Sequence, residues 1–187
     1  MSKHLPEAVS PRNGSSGAAG VRRSIVTSAH LVSEKCAELS EFEFGLNIAA
    51  NAYNRWLVRC MAAAGIKDMT TIDVLVLHHV YHRDRPKKLA DICFILNVED
   101  THVVTYALKK LAAMKLVQSQ RNGKEVLFSA TAGGGQVCRR YREVREACLL
   151  PGVSADGEEN ARLGELAQFL RSLSGLYDQA ARAATSL

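Results

Sequence analysis

A mainly α-helical protein with one small β-hairpin is predicted by three features of the sequence. Apolar residues recur at helical spacing over most of the chain after residue 40. The pair Asn122-Gly123 separates two short runs that alternate apolar and polar residues. Gly, Ser and Pro gather near the N-terminus, with Asn13-Gly14-Ser15-Ser16-Gly17 at the centre of that stretch.

Residues 1–38 therefore read as a flexible arm, too poor in bulky apolar side chains to offset the entropy of ordering. Arg12, Arg22 and Arg23 give it a basic character. From Ser40 the pattern changes: Ser40 with Glu43 three residues on is a capping box, and Phe42, Leu46, Ala49, Tyr53, Trp56, Leu57 and Cys60 keep helical spacing up to Gly65. The spacing predicts one long helix within 39–66, serving both core and dimerisation, since about 24 residues of helix span roughly 36 Å, longer than the core of a small domain needs. Thr70 or Thr71 caps a second helix with Ile72, Val74, Leu75, Val76, Leu77 and Val80, apolar nearly all round and so buried, and Arg83-Asp84-Arg85-Pro86 ends it.

A short helix opened by Lys87 or Lys88 follows, with Leu89, Ile92, Cys93, Ile95 and Leu96 on its inner side. After a turn at Asn97, Asp100 can cap a fourth helix over about 100–114. At 100° per residue, Val104, Ala107, Leu108 and Leu111 fall on one side of it, and His102, Thr105, Tyr106, Lys109 and Ala113 on the other. Two short helices joined by a tight turn, the second with an outward hydrogen-bonding face, form a helix-turn-helix able to place a recognition helix in a DNA major groove. Leu116–Gln120 and Glu125–Ser129 then read as strands about an Asn-Gly turn whose central residues need positive φ. This hairpin, the wing at 117–129, carries Arg121 and Lys124 at its tip, suited to phosphate or minor-groove contact. Thr131 starts a further helix, and Gly133-Gly134-Gly135 near its start reads as a flexible joint. After a linker around Gly152 to Gly157, Leu163, Leu166, Leu170, Leu173 and Tyr177 define a last amphipathic helix. The organisation expected is thus an arm at 1–38, a helix at 39–66, a winged helix-turn-helix DNA-binding region at 67–131 and C-terminal dimerisation helices at 132–187.

Composition narrows the function. The chain has 187 residues, 47% hydrophobic and 23% charged, enough for one packed domain with a tail. Its net charge of +5 is concentrated: Arg83 to Glu146 holds 13 Lys/Arg against 7 Asp/Glu, a local +6 that suits an anionic partner such as nucleic acid. No apolar run is long enough to cross a bilayer, and Met1 to Gly20 lacks the apolar stretch of a signal peptide, so the expected location is cytoplasmic, with no membrane partner. Cys36, Cys60, Cys93, Cys138 and Cys148 are odd in number and form no CxxC pair, which argues for reduced thiols. No GxSxG, nucleotide fingerprint or framed carboxylate pair is present, so neither an enzyme nor a cofactor is expected.

The order of elements resembles the MarR family of winged helix-turn-helix transcription regulators over roughly residues 40 to 180. The resemblance is most specific from Lys88-Leu89-Ala90-Asp91-Ile92 through Leu108-Lys109-Lys110-Leu111 to Lys115-Leu116-Val117, then in the hairpin and Ala130-Thr131-Ala132-Gly133. It implies a homodimer held by N- and C-terminal helices, double-stranded DNA as partner, the recognition helix in the major groove, the wing along the minor groove, and release by a small-molecule effector or oxidant. The residues carried over are Thr101, His102, Thr105, Tyr106 and Lys109 on the recognition helix and Arg121 and Lys124 on the wing, with Lys88 and Lys110 completing the expected DNA-binding set. The chain departs from the family in its shorter wing and in Glu99 and Asp100 at the start of the recognition helix.

His78 and His82 lie four apart on one helix and can share a metal ion, with His79 or Cys93 as a further ligand, although helix-end histidines are more often solvated. Cys36 beside Lys35 is a candidate oxidant sensor, and an inert thiol is the commoner outcome. Cys60, Cys93, Cys138 and Cys148 fall on apolar helical positions and read as packing. Tyr53 and Trp56 are core or interface residues that can also line a ligand pocket between helical and winged parts. Two readings from other classes stay open at this point: a winged-helix module that binds a protein through the same face, and a metal-sensing regulator using His78 and His82.

Overall fold

The computed structural model describes residues 36–153 and 157–187, so the arm lies outside the described residues as far as residue 35, Arg12, Arg22 and Arg23 included. Contacts divide the chain into two units, Met1–Ala49 and Ala50–Leu187. The described part of the first is the opening half of helix α1, Ala37–Ala63. Ser40, the expected cap, lies inside the helix, because the Leu39 N–H already donates to the Cys36 carbonyl at 3.3 Å and starts the first turn one residue before Ala37.

The second unit holds the core. Leu57, Cys60, Met61 and Ala64 from the end of α1 join Val74, Val76, Leu77 and Val80 of α2 (Thr71–Tyr81), Ile92 and Cys93 of α3 (Leu89–Leu96), and Val104, Ala107, Leu108 and Leu111 of α4 (Thr101–Ala113). Each fully buried Leu, Val or Ile contributes about 1.5–3 kcal/mol relative to exposure. Helix α2 starts on the capping box that its sequence announces: the Thr70 hydroxyl accepts from Asp73 N–H at 3.4 Å, and the Asp73 carboxylate accepts from Thr70 N–H at 2.8 Å. That carboxylate, 1% exposed as a residue, also receives the Lys110 ammonium of α4 at 2.6 Å, and Lys110 donates in addition to the Asp68 carbonyl at 2.5 Å.

Beyond α2 a single turn of 3-10 helix, His82–Asp84, puts Arg83 and Asp84 at positive φ, 61° and 41°. Lys87 then turns inward, 5% exposed, and donates to the carbonyls of Val80, His82 and Arg85 at 3.1, 2.5 and 3.2 Å. A buried ammonium on the free carbonyls past a helix C-terminus sits at the negative end of the helix dipole. Burial, with Arg85 and Arg83 nearby, pushes the Lys87 pKa down.

Lys88 is the N-cap of α3, as the sequence reading has it, and together with Lys87 it also forms a short strand that the sequence did not show. This strand, β1 (Lys87–Lys88), pairs antiparallel with β3 (Glu125–Ala130), while β3 also pairs with β2 (Val117–Asn122), for a sheet order β1-β3-β2. On α3 the expected inner side holds for Ile92 and Cys93 but not for Ile95, which is 61% exposed beside Phe94 at 82%. Asn97 ends α3 in the left-handed conformation at φ 52° and donates from its amide to Ser174 and Asp178 of α6 (Gly157–Ala184) at 3.3 and 3.4 Å.

The wing turn is also displaced by one residue from its expected place. Asn122 pairs with Glu125, so Gly123 and Lys124 are the central residues, and of these only Gly123 has positive φ, 62°. That is the pattern of a II′ turn, with Gly first, rather than the I′ turn expected of Asn-Gly.

The glycine run is not a joint. It lies in the first turn of α5 (Ala132–Cys148), where the Thr131 hydroxyl accepts from Gly134 N–H at 3.0 Å and donates to the Lys115 carbonyl at 2.7 Å. A Cβ at Gly134 would collide with the Leu116 carbonyl, 3.0 Å from its carbon, so the glycine is there to let α5 press against the start of β2. Cys60, Cys93 and Cys138 are buried as expected, whereas Cys148, at the end of α5, is exposed.

Two expectations about stability follow from this packing. Gly134→Ala should cost about 2–3 kcal/mol through backbone overlap, whereas Gly133→Ala, whose Cβ would meet its nearest atoms at 3.6 and 3.7 Å, should be neutral or gain up to about 1 kcal/mol; thermal denaturation of the two variants separates them. Asp73→Ala should cost about 2–3 kcal/mol in urea denaturation by leaving Lys110 and the Thr70 N–H without their shared acceptor, and Asp73→Asn, which keeps the acceptor for Thr70, should cost less.

Candidate nucleic-acid interface

Helix α4 is built to show one face. Its N-terminus is capped by Asp100, whose carboxylate accepts from the His102 N–H at 2.8 Å, so this acidic group is engaged with its own helix. With Val104, Ala107, Leu108 and Leu111 buried, Thr101, His102, Tyr106 and Lys109 stand in solvent, and Thr105 is half-buried on the flank. Tyr106 is 73% exposed. The Thr105 hydroxyl donates to the Thr101 carbonyl at 2.8 Å. Val103, absent from the expected outward set, is 41% exposed and lies three residues before Tyr106 on the same side. Its helical angle, far from the centre of the buried stripe, is the signal that could have found it.

The lysines divide. Lys109 faces outward, but Lys110 is drawn to Asp73 and Asp68 and so ties α4 to α2. The Thr70-x-x-Asp73 spacing was the available clue to that partner. Lys88 is exposed and paired with Glu125 at 2.6 Å, linking β1 to the wing, and the carboxylate pushes its pKa up. Arg121 and Lys124 are exposed at the wing end, Arg121 on β2 one residue before the turn and Lys124 within it.

A cleft of about 810 Å³ lies where the end of α2, the end of β3 and the start of α5 meet, lined by His78, Tyr81, Arg83, Thr131 and Arg139 among others. Neither Tyr53 nor Trp56 lines it. Tyr53 is 54% exposed, and Trp56 packs half-buried on the core. His78 stands edge-on to Tyr141, ring centres 4.4 Å apart, with its Nε2 buried and without a hydrogen-bond partner among the described residues. His82 lines the same cleft, but among the described residues no three His, Cys, Asp or Glu side chains gather to hold a metal. Cys93 is buried in the core and Cys36 is exposed before α1.

Burial lowers the pKa of His78, and burial with the Lys87 charge lowers that of His79. Below about pH 6.5 the unfolded chain therefore binds protons that the folded chain refuses, so stability falls as pH drops from 6.5 toward the folded values. The melting temperature should decline between pH 7 and 5, and His78→Phe, which keeps a ring against Tyr141, should flatten that decline in a series of thermal melts.

Residues 69–134 match a family model described as a winged helix DNA-binding domain. No curated protein matches the chain by sequence. Among solved structures the chain is similar to reduced AbfR of Staphylococcus epidermidis bound to DNA, with 21% identity, 75% of this chain and 97% of that one covered, and a TM-score of 0.60. A mutant MarR of E. coli complexed with operator DNA aligns at 19% identity over 74% of this chain and 99% of the other, TM-score 0.59. A MarR transcriptional regulator of Methanosarcina mazei Go1 aligns at 14% identity over 72% and 97%, TM-score 0.61. Residues 69–134 are thus similar to a winged helix DNA-binding domain, and the chain has the fold of the MarR-family structures that it matches.

Proposed function

We propose that the protein is a sequence-specific, double-stranded DNA-binding transcription regulator of MarR type that acts in the cytoplasm as a homodimer. In this reading α4 enters the major groove and the β2–β3 wing follows the backbone and minor groove. The observation that carries it is the division of α4, whose apolar side is buried while Thr101, His102, Tyr106 and Lys109 face out beside a wing carrying Arg121 and Lys124. No helix among the described residues is long and apolar enough to cross a membrane.

Dimerisation is supported by α6. Along its 28 residues Leu163, Leu166, Phe169, Leu170 and Leu176 are 44–56% exposed, an apolar stripe that a second copy would cover. A two-fold dimer would then read two half-sites about 34–36 Å apart. A small-molecule effector would act at the cleft beneath the wing, where Arg83 and Arg139 suit an anionic group and a shift of α5 would reach the wing through Thr131. The alternative trigger is oxidation at exposed Cys36.

Fluorescence anisotropy against genomic fragments, over a range of salt, tests the reading. The expected result is a steep fall of log affinity with log salt and retention of a subset of fragments. Lys109→Ala and Arg121→Ala should each weaken binding severalfold and reduce the salt slope by about 1, with the sedimenting species unchanged. Unchanged affinity in both variants would remove these residues from the interface. Weak binding with no preferred fragment would replace the reading by a protein-binding module on the same face.

A further inference from the structure

The recognition helix is short of the side chains that read bases by paired hydrogen bonds. Adenine is ordinarily read by Asn or Gln and guanine by Arg or Lys, each in a bidentate pair. From Thr101 to Ala113 there is no Asn, Gln or Arg, and of the two lysines Lys110 is held by Asp73 and Asp68, which leaves Lys109. The polar groups that do occur are partly engaged within the fold: Asp100 on the His102 N–H, the Thr105 hydroxyl on the Thr101 carbonyl, Lys110 on Asp73 and Asp68. His102 and Lys109 remain on the solvent face.

What the helix offers instead is apolar surface. Val103 is 41% exposed and Tyr106 73% exposed, at a spacing of three, so their side chains are neighbours on one side of the helix. Neither is called for by the helix or the core. Val and Tyr are both poorer helix formers than Ala, and at these exposures neither gains the full benefit of burial. In the major groove the one base feature that rewards apolar contact is the thymine C5-methyl group.

We infer that α4 discriminates its half-site chiefly by seating thymine methyl groups against Val103 and Tyr106, with Lys109 and His102 serving guanine or phosphate. This rests on the DNA-binding reading above and adds the chemistry of the partner: an operator whose half-sites place thymine under the first two turns of α4.

The test uses the full chain and a duplex selected from bound fragments, resynthesised with deoxyuridine for thymine one position at a time. Uracil keeps every hydrogen-bonding group of thymine and lacks only the methyl. At one or two positions per half-site the substitution should weaken binding about fourfold, the worth of one methyl removed from apolar contact, and more than tenfold when both half-sites are changed. Val103→Ala should abolish the uracil penalty at the position it covers, while Lys109→Ala should leave that penalty intact. Circular dichroism shows whether the exposed substitution leaves the fold unchanged. If every uracil duplex binds within twofold of the parent while the parent still outcompetes scrambled DNA, methyl readout is overturned and the regulator reading stands. If no duplex is preferred at all, both are overturned.

Discussion

The orientation of α4 depends on one buried carboxylate. Asp73 closes the capping box of α2 and at the same time accepts Lys110 from α4, so the start of the central core helix and the side of α4 share an acceptor. An ion pair at that depth adds little net stability over apolar packing, because both charges must leave water. Its effect is on direction: with Lys110 drawn inward and the Val104, Ala107, Leu108 and Leu111 stripe buried, the rotation of α4 about its axis is set. The outward face then consists of the residues left over.

The wing is placed by contacts at its base and along β3. Thr131 bridges three segments, with its N–H on the Leu116 carbonyl, its hydroxyl donating to the Lys115 carbonyl, and the same oxygen accepting from Gly134 N–H. Gly134 lets α5 approach Leu116 closely, and β1 adds a third strand beside β3 with Lys88 paired to Glu125. The tip extends from this base with Arg121 and Lys124 exposed. The start of α5 and the base of the wing are thereby joined through one residue, Thr131, by one backbone and two hydroxyl hydrogen bonds.

Charge within the winged region has two separate uses. Lys87 and Lys110 act inside the fold, one on the carbonyls past α2 and one on Asp73. Lys109, Arg121 and Lys124 remain outside, where a basic face attracts phosphates. The central charge excess counted from the sequence thus overstates what is available to an anionic partner, since part of it is consumed by helix ends.

Features that depend on neighbours in the chain were legible in the sequence. The apolar stripe of α4, the caps at Thr70, Asp100 and Thr131, and the existence of the hairpin follow from helical periodicity, short-range side-chain hydrogen bonds and turn chemistry, all acting within a few residues. So did Tyr106 and Lys109 as outward groups. Features that depend on distant partners were not. Lys110 meets Asp73 across 37 positions, β1 exists only because β3 returns beside it, and the glycine run reads as a joint until Leu116 is placed against Gly134. The start of α1 was misplaced for the opposite reason, since an attractive local cap at Ser40 gave way to helix that had already begun. Sequence by itself determined which faces are apolar and where helices can begin, because those are local matters of period and unsatisfied backbone groups. Tertiary structure alone decided which lysines remain free for an anion, because a charge is drawn to whichever partner the fold brings within hydrogen-bond reach.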